Sequence, residues 1–79
     1  MGYVSQCIEH SQMHFVAPGT KLVAIGTRNV PELEFGAVYT ANRVEEGIFT
    51  SRPFVEVEGR YGPYMCHLSR FEFAEAPDV

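Results

Sequence analysis

Tryptophan is absent, cysteine occurs twice, and no apolar run is longer than Leu22-Val23-Ala24-Ile25. A helix needs ~20 apolar residues to cross a bilayer, so no helical membrane span is expected. The opening MGYVSQCIEH holds neither a basic stretch nor an apolar one, which argues against a secretory leader. A myristoylation signal asks for Ser or Thr where Gln6 stands, one residue past Ser5. Small exported folds usually carry several disulfides, and Cys7 and Cys66 could form only one. A cytoplasmic protein with two reduced thiols is the expectation.

Clustered cations are missing too. Ten carboxylates stand against six Lys and Arg, giving a net charge of -4, and the bases are spread singly from Lys21 to Arg70. Phosphate binding relies on grouped cations and counterion release, so direct nucleic-acid binding is disfavoured. An acidic surface keeps a small protein soluble and can steer a basic partner toward it.

What is present suits one small core. The chain has 79 residues, 46% of them apolar, with six Phe and four Tyr. A chain of this length buries a little over ~60% of the surface its unfolded form exposes, which leaves no room for a second core. The rings must therefore supply much of the interior.

Residues 1–20 differ from the rest, being rich in His, Ser, Gln and Met and ending in the breaker Ala17-Pro18-Gly19-Thr20. They form an N-terminal extension. Val4, Cys7, Ile8, Ser11 and Phe15 recur at spacings of three and four, which predicts a short amphipathic helix from about Ser5 to His14, with an added strand as the alternative. Residues 21–75 read as β structure. KLVAI is a buried first strand; GTRNVPELEF, with Gly26, Asn29 and Pro31, is a long irregular loop; AVYTANRV is a second strand ending in the turn Glu45-Glu46-Gly47. In FVEVEG, Val55 and Val57 face one way and Phe54, Glu56 and Glu58 the other. The turn Gly59 to Pro63 leads to YMCHL, and FEFAE sets Phe71 and Phe73 opposite Glu72. Residues 76–79 form a frayed tail. About five short antiparallel strands must close or cover their edges, so the prediction is a mainly β chain forming a small barrel.

From Lys21 to Glu72 the order of features resembles small SH3-like barrel proteins of bacteria and their phages. The resemblance rests on KLVAI, Gly36-Ala37-Val38-Tyr39, Glu46-Gly47, Val55-Glu56-Val57, Gly62-Pro63-Tyr64 and the ending Ser69-Arg70-Phe71-Glu72. It implies an SH3-like barrel, a 3-10 turn at His67 to Arg70, a core position for Phe71, and a phage or mobile-element setting, which would place the chain in the cytoplasm of a bacterial cell or a phage-infected host. The connection from Gly47 to Pro53 is longer than in that family, and residues 1–20 have no counterpart. Proline-peptide-binding SH3 domains grip their ligand with loop tyrosines and a Trp. Here Trp is absent and GTRNVPELEF has no Tyr, so that activity is not carried over.

No constellation specifies a reaction. Cys7, His10 and His14, with Cys66-His67, offer zinc ligands, but only one half has ligand-pair spacing, and the default is two thiols and ordinary histidines. Cys66 and His67 are adjacent on a strand and point to opposite faces, so they do not pair for catalysis. Gly59 and Gly62 sit in a turn without a following helix or Lys, unlike a phosphate cradle. Glu56 and Glu58 alternate with Val as on any solvated strand face. The expectation is therefore a non-enzymatic module with no catalytic, cofactor or metal site and no small-molecule substrate.

Rings in loops and on the polar face remain to be explained. Phe35, Phe49, Phe54 and Tyr61, with Arg60 beside Tyr61, are the candidate contact residues for a protein partner or for self-association. Their structural alternative is to fold back as plugs of a small barrel. A second function class is an acidic inhibitor of a host nucleic-acid-handling or defence complex, acting through Glu32, Glu34, Glu45, Glu46, Glu56 and Glu58.

Overall fold

The computed structural model of the chain describes residues 7–46 and 52–74. The expectations for Ser5, for Phe49 and its neighbours at 47–51, and for the tail at 76–79 lie outside these residues. Among the described residues there are five strands: β1 Lys21–Ala24, β2 Val38–Glu46, β3 Pro53–Gly59, β4 Gly62–His67 and β5 Phe71–Phe73. They make one antiparallel sheet in the order β4-β3-β2-β1-β5, so the mainly β, five-stranded class read from the sequence is the class found. Two 3-10 helices complete the described chain, η1 at His10–Phe15 and η2 at Leu68–Arg70.

The period-two pattern sets the faces. Val55 and Val57 are fully buried, whereas Glu56 and Glu58 point outward with Phe54. Leu22 lies opposite Tyr39 on one side and Phe73 on the other, and Ala24 lies opposite Phe71. Phe71 is fully buried, with the Tyr39 ring edge-on to it at 6.3 Å. Burying a side chain of this size contributes ~2–3 kcal/mol, a large share for so small a core.

Strand β2 runs further than the sequence suggested. Glu45 and Glu46 pair with Phe54 and Pro53 rather than forming a turn. Pro53 is tolerated because it begins β3. The register shifts between Ala41 and Arg43, so Asn42 is an extra residue facing Glu56, a β-bulge.

The N-terminal segment packs on the barrel. Ile8 and Val16 belong to the buried core and Met13 packs against it. The predicted helix is present only as η1, begun where Gln12 N–H bonds the Glu9 carbonyl and Glu9 N–H bonds Gln12 Oε1. Ile8 precedes it because its own N–H is committed to the Phe71 carbonyl at 2.9 Å. Cys7, Ser11 and Phe15, expected with Ile8 on the apolar face, are exposed. A short polar stretch cannot nucleate a stable α-helix, and the contacts of Ile8 and Val16 decide its path instead.

Candidate functional site

The long connection between β1 and β2 is better ordered than its composition suggests. Val30 and Leu33 are buried in the core, and backbone bonds from Val30 N–H to Thr27 and from Leu33 N–H to Val30 fold the loop into successive turns. Both Ile25 and Gly26 N–H groups reach the Arg70 carbonyl, and Arg70 Nη1 returns a bond to the Gly26 carbonyl at 2.8 Å. A Cβ at Gly26 would come within 3.2 Å of Arg70 Cα, so glycine permits this close approach. Further on, Glu34 N–H donates to the Tyr39 hydroxyl at 2.7 Å.

The loop also meets the turn between β3 and β4. Arg60 N–H bonds the Glu32 carbonyl at 3.0 Å, and a Cβ on Gly59 would sit 3.1 Å from that same oxygen. Two candidate rings are carried by these joined segments. Phe35 follows Glu34 in a turn closed by Ala37 N–H on the Glu34 carbonyl, with Gly36 at φ +82° supplying the left-handed position. It is 70% exposed, and Tyr61 beside exposed Arg60 is 73% exposed. Neither ring is a plug.

Phe54 has a different setting. It lies on the outer face of β3, half-buried, at the end of the hairpin away from the turn, and stacks on the His67 ring at 4.5 Å. The structure thus brings Phe35, Arg60 and Tyr61 onto joined loops and leaves Phe54 apart; Phe49 is outside the described residues.

Under the loop lies a polar group that sequence reasoning missed. Cys66 is buried, with its thiol pushed up to about 11 by burial, a rise that Arg70 opposes and Glu32 adds to. Tyr64 is raised as well, first by burial and then by Cys66 and Glu32. Glu32 Oε2 is buried without a hydrogen-bond partner, as is His67 Nδ1. Cys66 therefore stays a neutral thiol at ordinary pH, and a thiolate nucleophile is disfavoured there. Cys7 is exposed, and among the described residues no three His, Cys, Asp or Glu are grouped to hold a metal ion.

The acidic residues divide as well. The bulge aims Asn42 at the outer face, where its amide donates to Glu56 Oε2 and Glu58 Oε1, each at 3.0 Å. Arg43 binds Glu56 Oε1 at 3.3 Å and also pairs with Glu45. Glu32, by contrast, is a half-buried residue of the loop between β1 and β2. Among the described residues no helix is long and apolar enough to cross a membrane. No protein-family model, curated protein or solved structure matches the chain.

Proposed function

We propose that the chain is a non-enzymatic interaction module on an SH3-like barrel, encoded by a phage or mobile element and working in the cytoplasm, which binds a protein partner or a second copy of itself. The observation that carries this reading is the pair of exposed rings, Phe35 and Tyr61, on two loops fastened together by the Arg60 N–H bond to Glu32. Rings on loops tied by a backbone hydrogen bond have less freedom to lose when covered, which favours an anchor residue. The strand order, the 3-10 turn before the last strand and the buried Phe71 support the SH3-like assignment. The neutral Cys66 thiol supports a role without nucleophilic chemistry.

The test compares capture of a partner from the native host by the wild type and by a Phe35→Ser, Tyr61→Ser double variant of unchanged stability. Loss of the captured protein in the variant is expected; equal capture by both would sink the loop assignment. A second reading, the acidic inhibitor, is favoured by the carboxylates that Asn42 holds side by side. It predicts a basic partner whose binding weakens steeply with salt, and salt-insensitive binding contradicts it.

A further inference from the structure

Among the described residues strand β4 is one border of the sheet, with β3 as its ladder partner. The hairpin closes with Gly59 opposite Gly62 across the two-residue turn Arg60-Tyr61. In an antiparallel ladder this fixes which backbone groups face inward. Gly62, Tyr64 and Cys66 exchange bonds with Gly59, Val57 and Val55, while Pro63, Met65 and His67 turn their backbone groups outward. Among the described residues, none of these outward groups bonds another segment. Pro63 has no N–H to offer, and the His67 carbonyl, at the N-cap of η2, accepts that turn's first bond. What remains is the Pro63 carbonyl, both backbone groups of Met65, and the His67 N–H.

We infer that this border pairs with itself: β4 of one molecule adds antiparallel to β4 of a second copy, about a two-fold axis through Met65. In that register Met65 exchanges two bonds with its twin, and each His67 N–H reaches the Pro63 carbonyl across the axis. All the remaining groups are used on both chains. Sliding to set Met65 opposite His67 demands the carbonyl already spent on η2. Sliding the other way demands an N–H that Pro63 lacks. A set of groups that satisfies itself under a two-fold rotation is the signature of an isologous contact.

Charge selects the same occupant. GPYMCH has no charged side chain, whereas β1 carries Lys21, β2 Arg43, Glu45 and Glu46, β3 Glu56 and Glu58, and β5 Glu72. Two molecules of net charge -4 repel least along the uncharged strand. Charged side chains are a common guard of exposed edges, and β4 has none. The inference rests on reading the chain as an interaction module and names its self-association surface.

The test is sedimentation equilibrium of the full chain from micromolar to millimolar concentration, with Met65→Pro and Met65→Lys beside the wild type. A monomer–dimer equilibrium is expected. Met65→Pro removes an N–H that β3 does not use, so it is expected to abolish the dimer while the monomer's circular dichroism is retained. Met65→Lys sets like charges across the axis and is expected to weaken dimerisation about tenfold, an effect that salt relieves. Should the proline variant not fold, the lysine variant carries the decision. A wild type that stays monomeric at millimolar concentration overturns the inference, as does a dimer that both variants leave intact. A dimer lost in Phe35→Ser, Tyr61→Ser but kept in Met65→Lys overturns it while upholding the loop reading.

Discussion

At the β5 border both backbone groups of Phe71 are engaged, its N–H by the Leu68 carbonyl and its carbonyl by the Ile8 N–H. At the β4 border the corresponding groups of Met65 meet no other segment among the described residues. One edge is short and is capped at Phe71 by a segment that precedes the sheet; the other is twice as long, carries no charged side chain and includes Pro63. The contrast gives residues 7–16 a physical purpose. Ile8 supplies a hydrogen bond and a core side chain together, so the segment closes an edge and completes the interior in one contact.

The largest test of this contrast is Phe71→Ala, which opens a cavity behind the covered border and is expected to cost ~3–5 kcal/mol by urea unfolding. Against a total near the lower end of the ~5–15 kcal/mol typical of native proteins, that loss takes most of the stability and is expected to lower the melting temperature markedly. Ile8→Ala is expected to cost ~2–4 kcal/mol and to raise amide exchange at β5 more than at β4. A loss below half that value would mean that residues 7–16 are an appendage.

The two thiols give an intermediate effect. Alkylation at pH 8 is expected to label exposed Cys7 quickly and leave Cys66 unmodified until the chain unfolds. Because the Cys66 pKa is raised in the folded state, from near 9 to about 11, its contribution to stability is complete below about pH 9 and is lost as pH climbs toward 11. Cys66→Ala is expected to flatten that alkaline decline, and an unchanged pH profile would contradict the assignment. Smallest is the effect of Met65→Pro on the monomer, expected at under ~1 kcal/mol in denaturant titration because no ladder bond to β3 is removed.

Much of the fold was legible in the residues. Alternation in FVEVEG and FEF set the faces of β3 and β5, and Gly59 and Gly62 bracketed the turn. The loop from Gly26 to Phe35 was not legible as structure, since Val30 and Leu33 enter the core from turns and follow no strand or helix period. The N-terminal segment misled for a related reason: a spacing of three and four describes an α-helix, whereas Ile8 is placed by a backbone bond to β5 before η1 begins. Of the candidate contact residues, Phe35 and Tyr61 stood in turns where a ring can either be exposed or fold back as a plug, so their exposure is a tertiary outcome, as is the bond joining their loops. The signal that could have found it was Gly59, a glycine where a Cβ would strike the Glu32 carbonyl.

Residue-resolved amide hydrogen exchange on the full chain, in dilute and in concentrated solution, tests the contrast between the two borders most directly. The account predicts that the Ile8 and Phe71 amides are protected at both concentrations, while those of Met65 and His67 exchange freely when dilute and become protected when concentrated. Protection of Met65 and His67 in the dilute monomer, or their free exchange at every concentration, would contradict it.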